Sequence, residues 1–344
     1  MNTDEFPFVS VVITGKNVAD SITECLESVM NLDYPHYEVL FVDAGSSDGT
    51  LEIIRKMSSS NPIFRILIKD GSPAAGRNEG ILNAKGEIIA FTDADCKVSK
   101  NWLLALVNCL IRHEDIASVG GPSLTPQKDQ YFAKCVGLLF STPFGSAGAR
   151  NPGFYSVPRY IDHNPTCNVA IKREVFENVG LLKEGLPVGE DLEFDRRLQK
   201  KGYKLFYTPY AIVYHHRKRN LRQFAKQMFS YGFWRAKLGK NHRKIWTPIH
   251  FIPTAFILTL LIGGIVAFLN PSLILYYLYL LAVLSYVVFG LSFGILVAIK
   301  IRDPLIIIIM LPLGFFEHTS YGLGFLAGLL SISDKHNKKN SRRC

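Results

Sequence analysis

Asp93 and Asp95 stand two residues apart at the end of an apolar run, Gly86-Glu87-Ile88-Ile89-Ala90-Phe91-Thr92. In extended backbone residues i and i+2 point to one face, so the pair presents two carboxylates together. Two hard oxygen donors at the mouth of a buried strand suit a divalent cation, with phosphate oxygens in its other positions. A second acidic centre is Gly189-Glu190-Asp191-Leu192-Glu193-Phe194-Asp195. Leu192, Asp195 and Leu198 share one helix face, and Asp191 falls in the first turn. The helix dipole there favours an ionised carboxylate, a state fit to take a proton from a hydroxyl. Either motif alone also describes ordinary solvated acids. What decides is whether other polar residues converge on the same place.

The elements that must position them alternate. Residues 8–14 are a near-continuous apolar run, as in a strand buried on both faces. Ile22, Cys25, Leu26 and Val29 then recur at helical spacing. Residues 37–42 form a second strand ending in Asp43-Ala44-Gly45-Ser46-Ser47-Asp48-Gly49-Thr50, followed by a helix on Leu51, Ile54 and Met57 and a strand over 63–68. Ser72-Pro73 caps a helix through Leu82, and the next strand delivers Asp93. A helix over 102–112 and a strand over 116–119 follow. This alternation predicts an α/β domain with a mostly parallel, Rossmann-like sheet. Such sheets bind ligands beyond the carboxyl ends of their strands. Thr14, Asp43 and the Asp93/Asp95 pair all fall at such ends, which overturns the solvated-turn reading. No G-x-G-x-x-G or G-x-x-x-x-G-K-[ST] occurs, excluding dehydrogenase and P-loop readings.

The chain has 344 residues and a net charge of +10, unevenly placed. Between residues 214 and 246 there are ten Lys or Arg and no Asp or Glu, and residues 334–344 hold five against one Asp. The remainder is slightly acidic. That pattern argues against nucleic acid as a partner and for a basic collar beside an anionic membrane surface. The six cysteines show no C-x-x-C or zinc spacing and read as thiols of a reducing compartment. The first residues carry no signal-peptide pattern, so the polar part is expected in the cytoplasm.

The ordered set Val9-Ser10-Val11-Val12-Ile13-Thr14, Val42 to Thr50, Ala74-Ala75-Gly76-Arg77-Asn78-Glu79-Gly80-Ile81 and Asp93-Ala94-Asp95 resembles family 2 glycosyltransferases, over roughly residues 8–216. These are inverting enzymes of GT-A fold that use nucleotide-diphospho-sugars. The resemblance implies that Asp43 contacts the nucleobase or ribose, Asp93 the sugar or ribose, and that Asp95 ligates Mg2+ or Mn2+. Thr14 and Arg77 are expected in the same donor site. Asp191, supported by Glu190, is implied as the base. Asn168 resembles a position near the sugar, or is a strand-end turn residue. His215 resembles one that reaches the metal, or is a solvated histidine. Glu193 and Asp195 are expected to pair with Arg196, Arg197 or Lys200. The family often has a second aspartate where this chain has Ala44, which leaves Asp43 to recognise the base.

Leu221, Phe224, Ala225, Met228 and Phe229 form a stripe with Arg222 and Lys226 off it, a basic amphipathic helix suited to a membrane interface. The stretch Gln227 to Arg235 lacks the Q-x-x-R-W motif of processive synthases. Uncharged runs at 251–269 and 273–299 are long enough to span a bilayer. Pro312, Gly314 and the pair Glu317-His318 interrupt a third, 304–332, which reads as one span or as two half-helices. Glu317 and His318 could satisfy each other. The expected organisation is a GT-A domain (1–216), an interfacial segment (217–247), a transmembrane region (248–333) and a basic tail (334–344), with the catalytic domain cytoplasmic by the positive-inside tendency.

The expected activity is inverting transfer of a sugar to a membrane-associated acceptor, a lipid-linked sugar or polyprenyl phosphate. The nearest rival is a dolichyl-phosphate sugar synthase, whose usual D-A-D-L-Q-H-P is here Asp93-Ala94-Asp95-Cys96-Lys97-Val98-Ser99. Nucleotidyl transfer and a non-catalytic nucleotide-binding scaffold are the rivals of other classes. A loop over the site is expected around residues 145–153.

Overall fold

A computed structural model describes residues 6–59, 61–113, 115–146, 156–269 and 272–331. They divide into two compact units. The first runs to Ser141 and resumes up to Arg217; the second comprises the short stretch from Thr142 and the chain from Lys218 onward.

In the first unit β1 (Val9–Gly15) is the hub. It is flanked in parallel by β2 (Tyr37–Asp43) on one side and β4 (Ile88–Asp93) on the other, and β3 (Phe64–Ile68) extends the parallel set beyond β2. β1, β2 and β4 are buried on both faces because α1 (Ile22–Met30) and α2 (Thr50–Ser58) cover one side and α3 (Pro73–Asn83) the other. The α1 residues Ile22, Cys25, Leu26 and Val29 are all buried, as their spacing requires. Ser72 caps α3 through its side chain, with Pro73 in the first turn. α3 lies so close to β1 that a Cβ on Gly80 would come within 2.3 Å of Val12.

After β4 the chain makes β5 (Cys96–Val98), α4 (Trp102–Arg112), β6 (Ile116–Gly120), β7 (Ser123–Leu124) and α5 (Tyr131–Phe140). A four-residue helix, α6 (Pro143–Ser146), belongs to the second unit. Then come β8 (Arg159–Ile161), β9 (Asn168–Lys172), α7 (Arg173–Val179), α8 (Glu190–Lys200), β10 (Lys204–Tyr207) and β11 (Val213–His215). The large sheet has the order β3-β2-β1-β4-β9-β6-β10-β8, with β9 antiparallel to both neighbours and β8 antiparallel to β10. A small sheet, β5-β11-β7, stands apart from it. The fold is α/β, with a mostly parallel sheet.

The second unit is helical. α9 (Leu221–Asn241) buries Phe224, Met228, Gly232, Ala236, Leu238 and Gly239. α10 (Ile252–Leu258), a π-helical turn (Thr259–Gly263) and α11 (Gly264–Leu269) make one broken apolar run, followed by α12 (Leu273–Ile301) and α13 (Leu305–Leu330). Among the described residues three stretches have the length and hydropathy to cross a bilayer: Pro248–Val266, Leu273–Ile301 and Leu305–Leu330. Of the two readings of the third run, one span or two half-helices, the structure has a single helix: α13 is continuous through Pro312. Glu317 and His318 do not satisfy each other. His318 faces the Tyr286 hydroxyl at 2.9 Å and the Phe144 carbonyl oxygen at 2.8 Å.

α9, the expected interfacial segment, packs along α13 in parallel. A Cβ on Gly232 would sit 2.0 Å from the Tyr321 oxygen. One on Gly324 would sit 2.1 Å from the Phe229 oxygen, and one on Gly328 2.4 Å from the Phe233 oxygen. Small residues let the two backbones meet, the device expected where apolar solvent supplies no hydrophobic force. The stretch 147–155, most of the expected loop over the site, and the basic tail lie outside the described residues.

Candidate active site

Three adjacent strand ends meet at one rim. Thr14 pairs with Asp93 across β1–β4, and Gly15 pairs with Asp43 across β1–β2. Asp43 is fully buried; its Oδ2 accepts from the amides of Gly45 and Ser46, both at 2.9 Å. Its Oδ1 has no hydrogen-bond partner among the described residues. The turn beyond it is tied to the β1–α1 loop. The Asn17 amide donates to Ser46 Oγ, the Ser47 amide to Asn17 Oδ1, and the Ala19 amide to Asp48 Oδ2. Those bonds hold the turn that carries Ala44.

Beyond Asp93 the chain turns sharply into β5, which pairs antiparallel with β11 so that Cys96 lies opposite His215. That register sets His215 Nε2 3.3 Å from Asp95 Oδ1. His216 is pinned elsewhere, between Asp129 and Glu24. Burial opposes a charge on His215, but the Asp95 carboxylate outweighs it and pushes the imidazole well above its usual range. A carboxylate oxygen of Asp95, Cys96 Sγ and an imidazole nitrogen of His215 lie within 4.8 Å of one another. That donor set fits a divalent cation, with Asp95 and His215 holding it.

Arg77, on α3, joins this cluster to the second acidic centre. Its Nη2 donates to Asp93 Oδ1 at 2.8 Å and its Nη1 to Glu190 Oε1 at 2.5 Å, with Arg77 and Glu190 both buried. Arg77, expected in the donor site, is thus placed between two protein carboxylates. Its guanidinium fork is engaged by both and positions them. Burial works against its charge, and Asp93 and Glu190 more than offset that, so its pKa is raised. Burial in turn pushes the carboxyls of Asp93 and Glu190 above their ordinary values.

α8 starts after Gly189, which sits at φ 88°, a left-handed conformation that glycine adopts without a Cβ clash. The first turn then places Glu190 on Arg77 and Asp191 at the rim. Asp191 Oδ2 lies 3.9 Å from His163 Nε2. The other nitrogen of that ring, Nδ1, is 2.7 Å from Asp195 Oδ2, which also accepts from the Asn164 amide at 2.9 Å. Asp195 was expected to pair with basic residues of its own helix. Instead it points inward and holds His163, while Glu193 makes the expected i,i+4 pair with Arg197. Burial pushes the Asp195 carboxyl up. Sequence reasoning passed over His163. The available signal was Asp195, an acid on the apolar face of α8.

Asn168, expected near the sugar or as a strand-end turn residue, joins the two sheets. It is buried; its Oδ1 accepts from Trp102 Nε1 at 2.8 Å, and its Nδ2 donates to the carbonyls of Pro122 and Ala211. Its amide fastens the large sheet to the start of the small one. The structure thus brings Thr14, Asp43, Asp93, Asp95, His215, Glu190 and Asp191 to one rim and moves Arg77 and Asn168 into supporting positions.

Comparison with known proteins agrees with this architecture. The description "Glycosyl transferase family 2" matches residues 10–180. Glycosyltransferase AglE of Haloferax volcanii is 32% identical over 255 residues, 71% of this chain and 76% of its own length. A dolichyl N-acetyl-α-D-glucosaminyl phosphate 3-β-D-2,3-diacetamido-2,3-dideoxy-β-D-glucuronosyltransferase of Methanococcus voltae is 27% identical over 336 residues, covering 94% of this chain and 97% of its own. Among solved structures, the mannosyltransferase PcManGT of Pyrobaculum calidifontis, in complex with GDP-Man and Mn2+, superposes with a TM-score of 0.63. It is 19% identical and covers 97% of this chain and 89% of its own, a likeness of GT-A fold. The chain belongs to glycosyl transferase family 2 and is a membrane glycosyltransferase.

Proposed function

We propose that this enzyme moves a sugar, with inversion, from a nucleotide-diphospho-sugar to a lipid-linked acceptor at the cytoplasmic face of a membrane. The observation that carries this is the Arg77 bridge, which locks the Asp93 end of β4 and the Glu190 end of α8 into one rim. Donor and acceptor chemistry then share a single rigid frame. Asp43 supports the nucleotide end: a ligand N–H would satisfy its partnerless Oδ1. A divalent cation held by Asp95 and His215 would neutralise the leaving diphosphate.

Asp191 accepts the proton of the acceptor hydroxyl as that oxygen bonds the anomeric carbon. The bond from that carbon to the diphosphate oxygen breaks on the opposite side, which inverts the centre. Glu190 and Arg77 fix the helix end that carries Asp191. A lipid-linked acceptor is supported by the apolar helices and by the Methanococcus relative, whose name describes a dolichyl-phosphate-linked acceptor. The cytoplasmic orientation is supported by the basic run preceding the first apolar stretch.

The test is nucleoside-diphosphate release by the membrane-embedded protein across a panel of nucleotide-sugars, with and without lipid extract, for wild type and Asp191→Asn. Release that depends on metal, rises with lipid and disappears in the variant is the expected result. Nucleotide binding without release from any donor would sink the reading in favour of a scaffold.

A further inference from the structure

Cys96 directly follows Asp95, opens β5 and stands opposite His215 in the β5–β11 ladder. Residues directly opposite in an antiparallel pair bring their Cβ atoms to about 4.5–5.5 Å on one face. The thiol and the imidazole are therefore placed together by backbone pairing, not by flexible side-chain reach. Cys96 is buried, with its Sγ 3.9 Å from Asp95 Oδ1, the same oxygen that His215 Nε2 approaches to 3.3 Å. Near them lies a second buried thiol, Cys167, which interacts electrostatically with both Cys96 and His215.

Resting on the reading of Asp95 and His215 as the cation site, we propose that Cys96 is its third protein ligand and that the site selects a borderline transition-metal dication over Mg2+. Metal–sulfur bonds of ~2.3 Å and metal–nitrogen or metal–oxygen bonds of ~2.0–2.2 Å let one ion span donors up to about 4.4 Å apart. Both measured separations from Asp95 Oδ1 are shorter than that. Mg2+ demands oxygen donors in a near-ideal octahedron, whereas imidazole and thiolate favour the later first-row dications. Binding replaces the S–H bond of Cys96 with a metal–sulfur bond. The thiol proton goes to solvent and no electron changes hands. Cys167 then faces the coordinated sulfur and the imidazole as an outer partner that orients them.

The experiment is a Co2+ titration of the full-length protein in detergent, with a nucleoside diphosphate added in parallel, followed by absorption and by proton release. The expected result is a near-ultraviolet sulfur-to-cobalt charge-transfer band. It should vanish in Cys96→Ser, with Co2+ affinity reduced by at least about tenfold, and persist in Cys167→Ser. Mg2+ should fail to displace the bound Co2+. Visible cobalt bands that depend on Asp95 but come without charge transfer in wild type would overturn thiolate ligation and leave the cation site standing. A charge-transfer band that survives Cys96→Ser would overturn the assignment to this residue. Absence of Co2+ binding with or without nucleotide would overturn the cation site itself, and the inference with it. Absence of the wild-type band overturns the proposal even where a cysteine variant fails to fold.

Discussion

The two units bury opposite things. The catalytic unit buries charge: Arg77, Asp43, Glu190 and Asp195 are all nearly inaccessible, held by oriented hydrogen bonds. The helical unit buries absence of side chain, with Gly232, Gly324 and Gly328 letting α9 and α13 touch through their backbones. The difference follows from the surroundings. In water, burying apolar surface supplies the driving force, and polar pairs inside it add geometry at the cost of desolvation. Between helices in a bilayer that force is missing, so close approach must supply the contact energy. Positional accuracy is thus a matter of charge in one unit and of volume in the other.

The largest expected effect lies in the catalytic unit. Asp191→Asn should lower kcat by about 10²–10⁴ with thermal unfolding unchanged, since Asp191 stands at the rim and not in the core. Asp95→Asn should behave alike, and chelation should abolish wild-type turnover reversibly. A wild-type rate in either variant, read by donor hydrolysis or transfer, would break the assignment of charge to chemistry. Next comes Arg77→Met, which strands Asp93 and Glu190 without their shared partner. Its expected cost is about 3–5 kcal/mol, measured by denaturant unfolding, and adding Asp93→Asn with Glu190→Gln should recover much of it. Failure to recover would mean that Arg77 acts through packing instead.

In the helical unit the corresponding experiment changes volume. Gly324→Leu should destabilise by about 1–3 kcal/mol through overpacking, read as a lowered thermal midpoint in detergent, and Gly324→Ala should do so by less. A comparable effect is expected at the sheet junction. Asn168→Ala leaves Trp102 Nε1 and two carbonyls without their partner, costing about 1–3 kcal/mol with the donor KM unchanged. A selective rise in that KM would return Asn168 to the ligand.

How far the chain could be read from its letters follows the same division. Strand ends were legible because apolar runs and turns announce themselves locally, and with them Thr14, Asp43, Asp93 and Asp95. The three apolar stretches were legible from hydropathy alone. Choosing between His215 and His216 needed a family pattern, and the β5–β11 register supplies the physical reason. Arg77 and Glu190 are 113 residues apart, and no local pattern announces that they pair. Asp195 with His163 is a similar case, 32 residues apart with an irregular stretch between. The bond from Trp102 to Asn168 was not legible, because a strand end is also where a ligand contact would sit. The α9–α13 seam left a trace in Gly324-x-x-x-Gly328 and Gly232-x-x-x-Ala236 that the amphipathic stripe obscured.

One small feature bears on how this protein could be divided. α6 is drawn from the middle of the catalytic sequence, yet it sits in the helical unit, where the Phe144 ring closes on Gly290 and Gly314 and its carbonyl oxygen meets His318. The chain therefore visits the second unit once before it arrives there for good. A fragment cut at residue 217 would carry away a plug without its socket and leave the socket open. The two units are stitched, not merely joined end to end, and neither is a module that a single cut would release intact.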